Sequence, residues 1–457
     1  MEKKKKKVIN VIGAGLAGCE CAYLLANNGF KVKLYEMKPK YKSQAHKTDD
    51  FAELVCSNSL KSELLTNACG LLKKEMSMFG SLFVEAAYNA KVPAGQALAV
   101  DRDIFSRYIT EKIKENENIE IVYERVDDIK SLDGTIVIAT GPLTDNHLME
   151  SLKDIIGQDS LYFYDAAAPI VSRDSIDMSI AYWGDRYTQE RGREEDEIEW
   201  RKRIEEIKEA DYLNLPMNKE EYDAFVDALV NAEVVTLHDF EKREIFEGCM
   251  PIEIMAKRGK DTIRFGPLKP VGFTDPRTAR RPYANVQLRM ENKEGELFNL
   301  VGFQTNLKFG EQKRVFQMIP GLQNAVFERY GVMHRNSYIN GGKLLTKNFS
   351  LRKNDNIYFA GQISGVEGYV ESAASGMMVA LSIIAKEKGK DLTFPEDTML
   401  GSLAKYVSTE NENFQPMNAN FGIIKPLEKK IRDKKEKYGV LANIALESLE
   451  KFKKENF

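Results

Sequence analysis

The feature that most constrains this chain is a glycine-rich turn close to its start. The β-branched run VINVI leads directly into GAGLAG, and a segment rich in alanine and leucine follows. Gly13, Gly15 and Gly18 give the spacing G-x-G-x-x-G between a predicted strand and a predicted helix. The first glycine makes the tight turn, the second admits a pyrophosphate, and the third lets the helix pack on the strand. The pattern predicts a dinucleotide-binding unit with phosphates at the helix N-terminus.

Two later features extend this prediction. Glu36 closes the second predicted strand, KVKLYEM, at about the ~20-residue distance at which an acid binds ribose hydroxyls. Far downstream, NIYFAGQISGVEGYVESAASG repeats the order of strand, glycine-rich turn and small-residue helix, with Gly361, Gly365 and Gly368 in the turn. An elongated flavin nucleotide commonly uses a second helix N-terminus near its ring system, so the repeat favours FAD over NAD. The alternative is a sheet edge that packs closely on a helix.

The length and texture of the chain predict more than one domain. Its 457 residues exceed the size at which single hydrophobic cores stop growing. The middle mixes strand-like pieces such as ANVQLRM with a charged segment, Gln189 to Glu209, which predicts an exposed helix. We therefore expect an α/β fold, a Rossmann-like FAD-binding domain of the glutathione-reductase type with an inserted α+β domain. The predicted parts are residues 1–150, the insertion 151–320, and residues 321–457 with a helical tail.

Overall charge and segment lengths exclude some classes of protein. Lys and Arg total 66 against 69 Asp and Glu, so any nucleic-acid contact needs a local basic patch. Three such clusters are DPRTARRP, LKFGEQKR and HRN, which can hold phosphates or can simply be solvated surface. No stretch is long enough to span a bilayer, and the lysine run at the start precedes no signal-like apolar segment. We expect a cytoplasmic protein that does not bind membranes.

The cysteines and histidines indicate a reducing compartment and no metal. An odd count of five cysteines forms no even disulfide framework, and there is no C-x-x-C pair. The four histidines lack metal-ligand spacing, so we predict no metal. Cys19 and Cys21 lie on the first predicted helix and are predicted to be packing residues, and Cys69 is also predicted to be buried.

Two cysteines stand in more polar surroundings. Cys56 precedes the amphipathic run LKSELLTNA, and at a helix start a thiol pKa falls below its usual ~8.5. Cys249 lies in FEGCMPIEIM, between a glycine and a proline, where a turn is expected. From spacing alone, each of these two thiols can be either reactive or inert.

Nine stretches, taken in order along nearly the whole chain, resemble one family. It is the family of folate- and FAD-dependent tRNA (uracil-5-)-methyltransferases, with a more distant similarity to the GidA wobble-uridine flavoproteins in the two FAD-binding stretches. The stretches are VIGAGLAGCE, HKTDDFAELVCSNSLKSELLTNACGLLKKEM, VPAGQALAVDR, FEGCMPIE, GPLKPVGFTDPRTARRPYANVQLR, NLVGFQTNLKFGEQKR, RYGVMHRNSYIN, FAGQISGVEGYVESAASG and QPMNANFG.

This resemblance implies a specific reaction. Reduced FAD, with NAD(P)H as the expected reductant, accepts the methylene of 5,10-methylenetetrahydrofolate and delivers it to C5 of a uracil, followed by a hydride. In the best-known members the target is the T-loop uridine of tRNA. The functional cysteines of the family map onto Cys56 and Cys249. By the same resemblance Gly13, Gly15, Gly18 and Glu36 hold the nucleotide, and the turn from Gly361 to Gly368, which includes Gly365, lies beside the flavin.

The chemistry suits these residue types. Addition of a thiolate to C6 makes an enolate whose C5 can attack an electrophilic methylene, and a base must later remove the C5 proton. We expect Cys56 to be the nucleophile, because a helix start favours a thiolate, and Cys249 to assist as base. The uracil must be flipped out of its stack to reach either thiol. Candidates for folate or RNA contacts, chosen from local chemistry, are Arg277, His334, Arg335 and Asn336.

Two departures from the family pattern leave the RNA target open. The chain has Leu215 in YLNLP, where the family usually has a cysteine, and its charged segment at 189–209 resembles an insertion. Both lie in the middle segment, expected to face RNA or folate, so a 23S ribosomal RNA uridine is an alternative to tRNA. Other classes are a flavin oxidoreductase of the disulfide-reductase type, which should show a closely spaced redox pair, and a non-catalytic RNA-binding flavoprotein.

Overall fold

The structure, a computed structural model, describes residues 8–43, 45–157, 160–192, 195–207, 210–235, 250–331, 333–411, 414–428 and 431–457. Its strands are β1 (Val8–Ile12), β2 (Lys31–Tyr35), β3 (Ser59–Ser62), β4 (Lys91–Val92), β5 (Ala97–Val100), β6 (Ile119–Val122), β7 (Thr135–Ile138), β8 (Ser160–Ala166), β9 (Ile170–Ser172), β10 (Tyr182–Trp183), β11 (Tyr212–Met217), β12 (Ala284–Met290), β13 (Leu297–Leu300), β14 (Phe327–Arg329), β15 (Met333–Ile339), β16 (Ser350–Leu351) and β17 (Asn354–Phe359).

The helices are distributed among these strands along the chain. They are α1 (Leu16–Asn27), α2 (Ala68–Ser77), α3 (Leu82–Asn89), α4 (Arg102–Lys114), α5 (Asn146–Ile156), α6 (Glu197–Glu205), α7 (Lys219–Asn231), α8 (Ile252–Lys257), α9 (Thr262–Phe265), α10 (Phe309–Phe316), α11 (Gly341–Leu344), α12 (Tyr369–Glu387), α13 (Met399–Ser408) and α14 (Lys434–Asn456). Among the described residues, no helix has both the length and the apolar character needed to cross a membrane.

The first sheet carries the predicted nucleotide-binding unit. Its strand order is β16-β17-β7-β1-β2-β6, and all neighbours are parallel except β16 and β17. Most of VINVI is buried, as expected for a parallel strand with helices on both faces. Helices α1 and α12 pack so closely that a Cβ at Gly376 would lie 2.1 Å from the carbonyl oxygen of Ala17. The predicted α/β fold with a Rossmann-like sheet is confirmed.

A second, antiparallel sheet is built from the middle of the chain. Its order is β10-β11-β12-β13-β9-β14, and it has its own hydrophobic core with helices that include α7 and α10. Leu215, the departure noted above, is fully buried in β11. Strands β8 and β15 pair with each other in a separate two-stranded ladder. The domain limits at residues 150 and 320 stay a prediction, and β14 of this sheet lies beyond 320.

The segment after Cys56 is not a helix, and the prediction of a helix start at that residue is wrong. Ser59 to Ser62 form β3, antiparallel to β5, and α2 begins only at Ala68. Serine side chains explain the difference, because they accept hydrogen bonds from backbone N–H groups two residues later. Such bonds join Ser57 Oγ to Ser59 N (3.1 Å), Ser59 Oγ to Lys61 N (3.3 Å) and Ser62 Oγ to Leu64 N (3.2 Å).

The charged segment differs in detail from expectation, whereas the tail is helical as expected. Among the described residues of 189–209, the helix is α6, and it is amphipathic rather than fully exposed, because Trp200 and Ile204 are buried. The tail forms the single long helix α14, from Lys434 to Asn456.

Candidate functional site

One cavity of about 390 Å³ lies where the parallel strands of the first sheet end. Turns after four of these strands contribute to its wall: Gly13 follows β1, Glu36 follows β2, Ala139 follows β7 and Gly361 follows β17. Parallel strands direct their carboxyl ends to one edge of a sheet, and ligands of open α/β sheets bind outside that edge. The cavity is therefore where the glycine pattern predicts a nucleotide.

The first glycine turn has the geometry that its spacing predicts. Gly13 has φ +100°, and a Cβ there would lie 2.6 Å from the carbonyl oxygen of Ala139. A Cβ at Gly18 would lie 1.8 Å from the carbonyl oxygen of Gly13, which keeps α1 against the turn. Gly15 is the N-cap of α1, lines the cavity, and has no atom within 4 Å of its Cβ position. Gly15 thus leaves open space at a helix N-terminus, where a phosphate is favoured.

Glu36 is buried at the end of β2, and its carboxylate faces backbone donors. Oε2 accepts from the N–H of Ala14 at 3.1 Å, and Oε1 accepts from the N–H of Lys38 at 2.9 Å. These bonds fix the carboxylate at the cavity wall, while each oxygen keeps a lone pair that can accept from a ribose hydroxyl.

The second glycine turn closes the opposite part of the wall. Gly361, Gly365 and Gly368 all have positive φ, at +80°, +99° and +116°. Gly361 and Gly368 line the cavity, whereas Gly365 packs against the ring of Phe414. The turn ends at the N-terminus of α12, which begins at Tyr369.

An ion pair that the sequence analysis missed lies beside this turn. Glu371, in the first turn of α12, is fully buried, and its Oε1 contacts Lys61 Nζ at 3.0 Å and accepts from the N–H of Ala419 at 2.9 Å. Burial alone would lower the pKa of Lys61, but the adjacent carboxylate outweighs it and raises the pKa above its usual range. Lys61 also lines the cavity and places a positive charge there. The two residues are too distant in sequence for spacing to have paired them.

Cys56 lies in the same cavity and is only partly buried. Its backbone N–H donates to the hydroxyl of Tyr369 at 2.6 Å, and the N–H of Ser57 donates to the same oxygen at 3.1 Å. Burial, followed by the nearby Cys56, raises the pKa of Tyr369, so this hydroxyl remains protonated at neutral pH. The first residue of α12 therefore holds the Cys56 backbone beside the second glycine turn.

Arginines hold the same loop from the other side. Arg102 donates to the carbonyl oxygens of Leu54 (2.9 Å) and Cys56 (3.2 Å), and Arg329 donates to the carbonyl oxygen of Val55. Arg102 is also paired with the buried carboxylate of Glu291, so the arginines hold the Cys56 loop by hydrogen bonds rather than by an uncompensated positive charge. Two elements, α4 and β14, thus position the thiol.

The other described cysteines are buried, as the sequence predicts. Burial, with a contribution from Glu371, raises the pKa of Cys69 to about 12, and its Sγ lies 3.4 Å from Glu371 Oε1. Burial also raises the pKa of Cys19 and of Cys21 well above the usual value. These three thiols stay protonated at neutral pH. Cys249 lies outside the described residues.

The folate or RNA candidates are placed differently from one another. Asn336 is buried in β15 and lines the cavity. His334 and Arg335 belong to the same strand, in register with Asp165 and Tyr164 of β8. Arg277 forms a bidentate ion pair with Asp275, at 3.0 and 2.9 Å, and is not among the residues that line the cavity. Over the described part of the chain, no group of His, Cys, Asp and Glu side chains is arranged to hold a metal.

Comparison with known proteins agrees with this arrangement. The family model described as "Glucose inhibited division protein A" matches residues 8–391 of the chain. The chain belongs to this family. Within it, the methylenetetrahydrofolate–tRNA-(uracil-5-)-methyltransferase TrmFO of Acetivibrio thermocellus is 54% identical over 446 residues, which cover 97% of this chain and 98% of that protein. TrmFO of Staphylococcus aureus strain Newman is 53% identical over 451 residues, covering 98% and 99%. The resemblance noted in the sequence is confirmed.

A solved structure of the glucose-inhibited division protein A family shares the fold. Aquifex aeolicus GidA in its form II crystal superposes with a TM-score of 0.64 at 16% identity, over 98% of this chain and 75% of that one. At this identity the likeness concerns the fold alone, which is a mainly parallel sheet with a second, antiparallel sheet in the middle of the chain.

Proposed function

We propose that this protein is an FAD- and 5,10-methylenetetrahydrofolate-dependent enzyme that methylates C5 of a uridine in tRNA. The observation that carries the proposal is that the Cys56 thiol and both glycine turns line one cavity. A nucleophilic thiol beside a dinucleotide site suits one-carbon transfer to a uracil, and relatives with more than half of their residues identical are named for this reaction. A tRNA substrate implies reaction in the cytoplasm.

The residues of the cavity fit FAD. We assign the pyrophosphate to Gly13 and Gly15 at the N-terminus of α1, and the adenosine ribose to Glu36. Gly361 and Gly368 leave room for the ring system beside α12, whose N-terminus and Lys61 place positive charge there. When bound and reduced, with NAD(P)H as the proposed electron donor, the flavin supplies the one-carbon transfer from methylenetetrahydrofolate and the hydride. Gly18 and Gly365 shape the turns without lining the cavity.

The chain itself supplies the thiol chemistry. A thiolate adds to C6 of the uracil and forms an S–C bond, and C5 becomes nucleophilic as negative charge moves to O4. After C5 has gained its carbon, a base on the protein removes the C5 proton, and the S–C bond breaks to return the thiolate. The reaction therefore needs a nucleophile and a proton acceptor at the same base. We propose Cys56 and Cys249 for these two roles.

Cys249 is proposed for the site on the family resemblance, and the described chain resumes at 250, close before a residue that contacts the cavity wall. Ile252 donates its N–H to the carbonyl oxygen of Gln304 at 2.7 Å, and Gln304 lines the cavity. Asn336, His334 and Arg335 remain proposed contacts of folate or RNA, on a strand that borders the cavity at Asn336. We retain Arg277 only as a candidate for RNA, because it does not line the cavity.

No helix begins at Cys56, and a trapping experiment divides the roles of nucleophile and base between the two thiols. An RNA with 5-fluorouridine at the target traps the thiol adduct, because no C5 proton can leave. Cys56→Ala and Cys249→Ala are compared in this assay. The variant that lacks the nucleophile should form no adduct, whereas the variant that lacks the base should still form it. Adduct formation with both variants would refute the assignment of these thiols.

The function itself is tested with the yellow holoprotein. Labelled methylenetetrahydrofolate, NAD(P)H and an unmodified tRNA transcript are supplied, and the labelled uridine is mapped by nuclease digestion and mass spectrometry. We expect label in tRNA, none in a 23S ribosomal RNA fragment, and no requirement for S-adenosylmethionine. A colourless protein that cannot be reconstituted with FAD, or a holoprotein that transfers no label, would refute the proposal.

A further inference from the structure

Four aromatic rings form a column that runs from the core of the second sheet to its surface. Phe316 is fully buried and lies 6.4 Å from Phe327, measured between ring centroids. Phe327 stacks on Tyr330 at 5.4 Å with an interplanar angle of 13°, and Tyr330 stacks on Phe309 at 4.9 Å with an angle of 18°. Phe309, the last ring, is 53% exposed. The column thus ends in a half-exposed aromatic ring.

Hydrogen bonds make the outer end of the column rigid. Gln312 is fully buried in α10, and its Nε2 donates to the carbonyl oxygens of Leu307 (2.7 Å) and Gly331 (2.8 Å). Its Oε1 accepts from the N–H of Gly331 at 2.8 Å. Phe309 on α10 and Tyr330 are therefore held at a fixed separation. A preorganised ring binds a planar ligand without the cost of ordering a loop.

The column also borders the candidate site. Arg329, between Phe327 and Tyr330 in sequence, donates to the carbonyl oxygen of Val55, next to Cys56. Gly331 packs on the backbone of Ala167, where a Cβ would lie 2.6 Å from the Ala167 oxygen, and Ala167 lines the cavity. The residues on both sides of Tyr330 thus contact the Cys56 loop and the cavity wall.

We propose that the exposed ring of Phe309 is a stacking site for one base of the RNA substrate. This inference rests on the proposed function. A base flipped towards Cys56 leaves its neighbours without a stacking partner, and aromatic side chains recover that loss with any base, because every base has a π-face. RNA is favoured over folate because the ring is exposed and Phe309 is not among the residues that line the cavity. Lys313 of the same segment is exposed and can accompany a phosphate backbone, whereas Lys308 is paired with Glu233 at 2.6 Å.

The test compares four variants of the full-length holoprotein. Phe309→Ala removes the ring, Phe309→Leu keeps an apolar side chain without a π-face, and Phe309→Trp restores stacking. Phe265→Ala is the matched control, because Phe265 on α9 is 74% exposed and is not one of the four residues of the column. Binding of an unmodified tRNA transcript is measured by fluorescence anisotropy over a range of salt concentrations, with FAD content and melting temperature measured for every variant.

We expect Phe309→Ala and Phe309→Leu to weaken tRNA binding roughly five- to hundredfold, and Phe309→Trp to bind within about threefold of wild type. The slope of log Kd against log salt should not change, because no phosphate contact is removed. Unchanged binding by Phe309→Ala, wild-type binding by Phe309→Leu, or an equal loss in Phe265→Ala would overturn the inference. A higher KM for methylenetetrahydrofolate with unchanged tRNA binding would assign the ring to folate instead. Wild-type protein that neither binds nor methylates tRNA would refute the proposed function itself.

Discussion

Replacing Gly376 by alanine tests whether the contact between α1 and α12 sets the shape of the cavity. A Cβ at this position would lie 2.1 Å from the Ala17 carbonyl oxygen and 2.8 and 2.9 Å from two further backbone atoms of Ala17. Because backbone cannot rotate away as a side chain can, the two helices must separate by about 1 Å to restore ordinary contact distances. Gly15, at the start of α1, and Gly368, before α12, both line the cavity, so this separation changes its width.

Two opposing effects set the change in the free energy of unfolding. Alanine in a helix is favoured over glycine by up to ~1 kcal/mol, whereas overpacking a closely packed contact costs about 1–3 kcal/mol. With backbone atoms on the opposing side, we expect the larger part of that range, and therefore a net loss of about 2 kcal/mol in the free energy of unfolding. Gly439 supplies the control, because it lies within α14 with no atom within 4 Å of its Cβ position. Gly439→Ala should raise the free energy of unfolding by up to ~1 kcal/mol.

Stability is measured by urea denaturation of each apoprotein. The FAD retained per chain is measured on each purified holoprotein from the ratio of flavin to protein absorbance. Gly376→Ala should lower both stability and FAD content, whereas Gly439→Ala should lower neither. If Gly376→Ala is as stable as Gly439→Ala and retains its flavin, the close approach of the two helices does not control the site, and the reasoning from the Cβ distance fails.

Three further predictions concern buried groups. Burial raises the pKa of Glu20 from 4.5 to about 7, so its contribution to stability is present below about pH 4.5 and is lost as the pH rises through 7. Glu20→Gln should remove roughly 3 kcal/mol of that pH dependence in urea titrations between pH 4.5 and 8, and an unchanged profile would contradict this. Asn58 is fully buried, donates to two backbone carbonyls at 3.1 and 3.0 Å, and accepts from Arg289 at 3.0 Å. Asn58→Ala should therefore lower the free energy of unfolding by about 3 kcal/mol in the same urea titration. A loss under ~1 kcal/mol would show that these bonds contribute little to stability. Iodoacetamide at pH 8 should label Cys56 but not Cys69 in the folded protein; mass spectrometry of the peptides decides, and equal labelling would contradict the burial.

Local patterns predicted the parts of this fold whose partners are close in sequence. The turn at Gly13 could be read from spacing, because strand, turn and helix follow one another within a few residues. The loop after Cys56 could not, since hydrophobic periodicity does not register the serine side chains that compete for backbone N–H groups. A helix was expected there, and with it the wrong electrostatic reason for a reactive thiol.

Sequence patterns could not predict contacts between residues that lie far apart in the chain. Lys61 and Glu371 meet only because β3 and α12 are folded against the same cavity wall. The aromatic column likewise joins α10 to β14 and the residue that follows it, and only the ring separations identify it. The charge of LKFGEQKR makes it a candidate for a phosphate contact, whereas in the structure it is Phe309 of this stretch that has a defined place, in the aromatic column.

The division of the first sheet between the two ends of the chain has a consequence for synthesis on the ribosome. Strand β7 ends at Ile138, but its outer neighbour β17 begins only at Asn354. At roughly 5–20 residues per second, the edge of β7 waits on the order of ten to forty seconds for its partner. During that time the apolar strand TIVI exposes its hydrogen-bonding edge, and the second glycine turn does not yet exist. Folding of this sheet, and with it tight retention of a nucleotide, is therefore a late event in translation.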